Sequence, residues 1–347
     1  MEVLYKVIPN VIDQKLQTPK GMINISDLNN GDKLFEYSSR SLLNVEKVVL
    51  SDNKKDIYEF EFNDGRKMLV PEKELMCFNN HLLSIKEIIN AQDSLPILKP
   101  KQFDYSESEI CTAQKPDPYI TGALLINSDF DDNYVNIPLD KTGASNFFRS
   151  KYGTGYVPYV NKGKTYFNII GTKRLLSWRE FYAYYKIYVS SKDFNDSIIL
   201  NEYLFGSIND RWQFVRGAFD VGYDPKVFPN TISIAHKYEE RLKEFQKVLW
   251  SLGILSKIYY DPNMYQNSNK VYRLDVISSY ENYPGLFYDI NTIKSILNSD
   301  NIMKHSEEFI FRVKRINFVG KAQVYSVFTD KHLSIASTDN YLPYVIL

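Results

Sequence analysis

The order of apolar and polar residues changes character twice along the chain. Up to about residue 112 the pattern is short runs of alternation broken by turn residues. The stretch "TPKGMINISDLNNGDKLFEY" has a Pro-Lys-Gly turn, an alternating run, an Asn-Gly turn and a second run. The stretch "KDIYEFEFNDGRKMLVPEKELMCF" alternates, turns at Asn63-Asp64-Gly65 and alternates again. Side chains on a strand point to opposite faces in turn, so this pattern predicts half-buried strands joined as hairpins. "AQKPDPY" at 113–119 is a Pro-bearing connector and marks a boundary. From 119 to about 300 helical and strand patterns alternate. In "EERLKEFQKVLWSLGI", Leu242, Phe245, Val248, Leu249 and Leu252 fall on one helical face and Gly253 ends the run. Strand alternation returns in "EFIFRVKRINFVGKAQVYSVFTDKHLSIAS". A β-domain interrupted by an insert of mixed helix and strand, its two terminal parts pairing with each other, accounts for this order.

Two apolar helices in the insert share a feature. "YITGALLINSDF" and "FVRGAFDVGY" each carry a Gly-Ala pair, Gly122-Ala123 and Gly217-Ala218, inside an apolar run that leads into polar residues. Small residues at one level of a helix allow another backbone to approach closely.

Composition narrows the picture. The chain of 347 residues, 44% hydrophobic and 24% charged, is long enough for two or three domains with real cores. Its formal net charge is zero, which argues against a dedicated duplex binder with a strong basic excess. Cys77 and Cys111 have no CxxC spacing, so neither a zinc site nor a disulfide framework is expected. The N-terminus "MEVLYKVIPNVIDQKL" lacks the apolar core of a signal peptide, and no apolar run is long enough to span a bilayer. The expectation is a cytoplasmic protein, or a virion-associated one if of phage origin, with no membrane partner.

Taken in order, these blocks resemble two known families. The N-terminal "TPKG" turn followed by "INISDLNNGDKLFEY", the "FNDGRKMLVPEKE" block and the C-terminal "QVYSVFTDKHLSIASTDNYLPYVIL" are similar to the Hint (hedgehog/intein) domain. The middle resembles a two-repeat LAGLIDADG homing endonuclease. Its second repeat carries "RWQFVRGAFDVGY", an Ile-Ser-Ile strand, the helix "KYEERLKEFQKVLWSLGI", "SKIYY" and "VYRLDVIS". The resemblance implies an α+β fold: a β-rich Hint-like domain at 1–112 and 303–347, split by a saddle of αββαββα repeats at 113–302. The repeats would run from about 119 to 205 and from 206 to 300. It also implies that the two Gly-Ala helices pack together, with Gly122, Ala123, Gly217 and Ala218 at their contact.

In such endonucleases each motif helix delivers one carboxylate to divalent metal ions beside the scissile phosphate. Here the matching positions are Asn127 and Gly222, and neither can supply one. Asp129 and Asp220 are the nearest fallbacks if the register slips, and magnesium would be a cofactor only for a residual nuclease. The splicing positions are depleted as well. No nucleophile stands near Pro9; Pro71 and Glu74 replace the Thr and His of the first splice site; Tyr344-Val345 replaces the terminal His-Asn. His332 matches a histidine often found about ten residues before that end.

What the resemblance leaves is a scaffold whose sheets would read a duplex. The first-repeat segment "YGTGYVPYVNKGKTYFNIIGTKRLLSWREFYAYYKIYV" holds Lys162, Lys164, Lys173, Arg174, Arg179 and Lys186 among many aromatics, with Glu180 the one acid. Strand-borne Lys and Arg would bind phosphates, and Tyr or Asn would add selectivity. The expected function is a catalytically inactive module that binds duplex DNA. A structural or interaction component of a larger assembly, such as a phage virion, is the alternative; an active endonuclease with displaced acids is the second.

Overall fold

The computed structural model describes residues 11–37, 41–72, 75–78, 81–90, 102–108, 117–126, 129–131, 134–138, 147, 150, 158–161, 164–168, 203–266, 269–277, 285–288, 290–298, 313–331, 334–338 and 342–346. The fold is α+β. Two compact units emerge: residues 1–109 with 250–253 and 310–347, and residues 110–249 with 254–309.

The first unit is built of strands. In chain order these are β1 (Val11–Ile12), β2 (Lys15–Thr18), β3 (Gly21–Asn24), β4 (Lys33–Phe35), β5 (Leu42–Leu50), β6 (Lys55–Phe62), β7 (Lys67–Pro71), β8 (Leu75–Phe78) and β9 (His81–Ser84). The second unit contributes β10 (Asp129–Asp131), β11 (Tyr134–Pro138), β12 (Pro158–Asn161), β13 (Lys164–Asn168), β14 (Ile232–His236), β15 (Ser256–Gln266) and β16 (Asn269–Val276). The C-terminal part returns to the first unit with β17 (Val313–Thr329), β18 (Ser334–Ser337) and β19 (Pro343–Ile346).

The main sheet of the first unit runs β4-β5-β17-β6-β7, with β1 parallel to β17. β17 is therefore central: its first half pairs with β6 and its second half with β5. One 17-residue strand serves both partners, and its register with β6 shifts between Phe318 and Gly320. Gly320 sits there at φ 137°, a conformation L side chains rarely adopt. Residues of β6, Ile57, Phe60 and Phe62 among them, fill the core. The β6–β7 hairpin closes through Asn63-Asp64-Gly65, with Gly65 at φ 93°. Inside it the Arg66 guanidinium forms a fully buried ion pair with Asp64.

The second unit joins a helix pair to two antiparallel sheets. The first motif helix, Pro118–Ile126, opens with Pro at its first position and an Asp117 carboxylate accepting the Ile120 N–H at 3.1 Å. The second, Ile208–Gly222, is capped by Ser207, whose hydroxyl accepts the Asp210 N–H. A third helix, Glu239–Ser251, buries Leu242, Phe245, Val248, Leu249 and then Leu252, and Gly253 at φ 79° stops it.

The sheets are ordered β10-β11-β13-β12 and β14-β16-β15. β14, β16 and β15 repeat the order of β11, β13 and β12, so among the described residues the second sheet is the first without its outer strand. The second repeat departs here from the full αββαββα order: one strand, β14, separates its first two helices. The reason is local. "DPKVFPN" at 224–230 places prolines at 225 and 229, and a proline can neither donate to a ladder nor hold an interior strand position. The segment forms turns, with Lys226 N–H bonded to the Asp224 carboxylate at 2.9 Å.

Candidate nucleic-acid interface

The helix pair is the centre of the second unit. A Cβ built on Gly122 would lie 1.8 Å from the Phe214 carbonyl oxygen and 3.3 Å from Ala218 N. A Cβ on Gly217 would lie 1.9 Å from the Tyr119 oxygen and 3.1 Å from Ala123 N. Each glycine faces the carbonyl three residues before the other glycine and the amide one residue after it. That reciprocity is a local two-fold, and it explains why the Gly-Ala pair occurs twice. Ala123 and Ala218 are fully buried beside the crossing. Stacked rings of Tyr203, Phe214 and Phe245 continue the packing at 4.8 and 4.9 Å.

Beyond the crossing the second motif helix runs to Gly222. Gly222 ends the second motif helix against apolar side chains: its Cβ would meet Ile126 Cγ2 at 2.6 Å and Ile234 Cγ2 at 3.0 Å. Asp220 is buried, and its carboxylate accepts the Tyr119 hydroxyl at 2.8 Å and the Tyr288 N–H at 3.0 Å to each oxygen. Burial, then the Asp220 charge, raises the Tyr119 phenol well above its ordinary pKa. Arg216 Nε holds the neighbouring Gly285 carbonyl at 3.1 Å, so Asp220 and Arg216 together fasten the 285–288 segment to the helix. Among the described residues no group of three or more His, Cys, Asp or Glu is placed to hold a metal ion.

A cation stands at the end of the first motif helix. Arg241 Nη1 donates to the Leu125 carbonyl at 2.9 Å, one of the carbonyls that has no partner within a helix's last turn. Burial lowers the Arg241 pKa to about 10. Burial, and then Arg241 itself, pull His236 down to about 3. On the same helix burial raises Glu244 to about 7, against the opposing pull of Arg241 and Lys247.

The second sheet has two unlike faces. Ile234 points at Gly222, which identifies the helix side, with Ile232, Leu274 and Val276 buried on that side by register. The opposite face carries Ser233, Lys257 and Asp275 in one row and Ala235, Tyr259 and Arg273 in the next, with Asp261 beyond. These residues bond to one another. Asp275 accepts from the Ser233 hydroxyl at 2.6 Å, the Tyr259 hydroxyl at 2.8 Å and Arg273 Nη2 at 2.8 Å. Arg273 Nη1 lies 3.4 Å from Asp261, and its guanidinium lies over the rings of Tyr259 at 4.6 Å and Phe228 at 5.4 Å. The strict alternation of "VYRLDVIS" puts Arg273 and Asp275 on one polar face, and that alternation is the signal in the sequence for this cluster.

Of the other residues singled out, Pro71 is the buried last residue of β7. Tyr344 and Val345 lie on β19, opposite Ala336 and Ile335 of β18. Asp129 begins β10 and Lys164 begins β13, directly across from Asn161. Glu74, Asn127, Lys162, Lys173, Arg174, Arg179, Lys186 and His332 lie outside the described residues. Among the described residues no helix is long and apolar enough to cross a membrane.

Residues 214–283 match the family of LAGLIDADG-like domains. No curated protein matches the chain. Among solved structures the chain is similar to the gp41-1 intein, with 23% identity and a TM-score of 0.22 over 25% of this chain. The match covers 65% of that intein, less than two thirds of its length. It is also similar to mesophilic variants of the homing endonuclease I-DmoI, with 13% identity and a TM-score of 0.29 over 53% of this chain and 96% of that one. A structure of I-DmoI in complex with DNA and calcium aligns over 53% of this chain and 90% of that one, at 13% identity and a TM-score of 0.29.

Proposed function

We propose that this chain is a relative of inteins and homing endonucleases that has lost both chemistries and serves as a binding module for duplex DNA. The observation that carries the loss is the end of the second motif helix. A metal-binding carboxylate at 222 would need the space that Ile126 and Ile234 fill, and the residue there is glycine. Asp220 does not replace it, because its carboxylate is buried and bound to Tyr119 and Tyr288. Pro71 at the first splice-site position and Tyr344-Val345 at the terminal pair offer no group that could activate or cyclise at a peptide bond.

The binding half of the reading rests on what is retained: the match of 214–283 to LAGLIDADG-like domains, a helix pair closed on glycines, and two antiparallel sheets beside it. The basic residues 162–186 would supply phosphate contacts. The domain boundaries read from sequence, 1–112 with 303–347 and 113–302, belong to this reading, supported by β17 running between β5 and β6.

The test is fluorescence anisotropy on a random duplex pool across a salt series. Binding that weakens with salt, gains nothing from magnesium and proceeds without strand cleavage in magnesium or manganese is expected. Metal-dependent nicking would refute the loss of chemistry. A second reading, a packing component of a larger assembly, draws on zero net charge and on the mutually neutralised polar face of the second sheet. Absence of salt-sensitive binding at low salt decides for it.

A further inference from the structure

We infer that duplex contact by this protein is one-sided: the second-repeat sheet, closed by its own residues, takes no part. This rests on the DNA-binding reading above and specifies the kind of site, a half-site of about one helical turn, roughly 10 bp.

A sheet face that reads a duplex needs cations able to give hydrogen bonds to phosphates, and donors or acceptors that reach base edges. The face of β14, β16 and β15 turned away from the helices has neither to spare. Among the described residues its cations are Lys257 and Arg273 and its anions Asp261 and Asp275, two of each, so these present no net charge to a polyanion. Arg273 Nε is 2.7 Å from Asp275, Nη2 donates to the same carboxylate, and Nη1 faces Asp261. The guanidinium also lies over the rings of Tyr259 and Phe228, and the side chain is 21% exposed. Turning it to a phosphate would leave two buried carboxylates without their cation, a strongly unfavourable state. The hydroxyls that could read bases are also engaged: Ser233 with Thr231 at 2.7 Å and with Asp275, and Tyr259 with Asp275.

The difference between the repeats points the same way. Where the first sheet has its outer strand β10, the second has the proline-bearing turns of 224–230. Phe228, from that segment, is buried and lies over Arg273. The outer strand has been exchanged for a cover on the polar face.

Two measurements on the full chain test the inference. Hydroxyl-radical footprinting on a bound duplex is expected to protect about one helical turn; protection of two turns overturns it. Duplex affinity of Lys257→Glu is expected to stay within twofold of wild type, with the same slope of log affinity against log salt. A phosphate contact at 257 would instead lower that slope by about 0.9, and that result overturns the inference. Footprint length needs no variant, so the test survives if Lys257→Glu folds poorly. Absence of any salt-sensitive binding removes the DNA reading itself, and is distinct from a two-turn footprint, which retains that reading and removes only its one-sidedness.

Discussion

Gly217→Ala is the sharpest perturbation of the helix pair, because two effects of opposite sign act at one atom. By helix propensity alone, alanine inside the Ile208–Gly222 helix would stabilise by about 1 kcal/mol. The new Cβ, however, would stand 1.9 Å from the Tyr119 carbonyl oxygen, a backbone atom that cannot rotate away. Reaching ordinary contact at 3.4 Å requires the helices to part by 3.4 − 1.9 = 1.5 Å at the crossing. A gap of even ~1 Å forfeits up to half of the dispersion attraction across an interface. Overpacking of this kind costs about 3 kcal/mol at the upper end of its usual range, and the rigid partner places this site there. The net loss is about 2 kcal/mol. For a unit of 110–249 with 254–309, at about 2–4 °C per kcal/mol, the thermal midpoint should fall by roughly 4–8 °C. Circular dichroism at 222 nm during a thermal scan measures it, and Gly122→Ala should behave alike because the contact is reciprocal. A midpoint that holds or rises would mean that propensity wins, and would refute the close crossing.

Further outcomes are expected. Incubated with and without thiol, the purified chain should keep one intact mass over days; release of a terminal peptide would contradict the loss of splicing groups. Fragments 1–112 and 303–347 should be poorly ordered apart and should associate when mixed, since β17 supplies the strand between β5 and β6; cooperative unfolding of 1–112 alone would contradict this. Glu244 is raised by burial from 4.5 to about 7, so its contribution is fully present below pH 4.5 and is lost as pH rises through 7. His236, lowered to about 3, slopes the opposite way between about 6.5 and 3. The difference between Glu244→Gln and wild type isolates Glu244: the variant should gain relative stability from pH 4.5 to 7 in chemical denaturation, and a pH-independent difference would show that the carboxyl is not desolvated. Asp220→Asn should lower the thermal midpoint while leaving duplex affinity unchanged, and a selective loss of DNA binding would give Asp220 a functional role.

Local patterns were legible in the sequence because they depend on neighbours along the chain. The period-3.6 apolar face from Leu242 to Leu252 predicts a helix whatever covers it, and Gly253 stops that helix through its own backbone freedom. The Asn63-Asp64-Gly65 turn sets the β6–β7 hairpin for the same reason. The duplicated Gly-Ala pair announced two helices meant to approach closely, since two notches of one shape at one level have little other use. What could not be read there is pairing between residues far apart. Nothing in Gly222 says that Ile126 and Ile234 close over it; nothing in Asp220 says that Tyr119, 101 residues earlier, and the Tyr288 amide take up its carboxylate. The same holds for Arg273, which reads in sequence as one more basic residue on a strand. Only the assembled sheet brings Asp261, Asp275, Tyr259 and Phe228 around it and turns a candidate phosphate ligand into an internal ion pair. Secondary structure answers to local sterics and periodicity, whereas the availability of a charge is a property of its desolvated surroundings, and those exist only once the chain has folded.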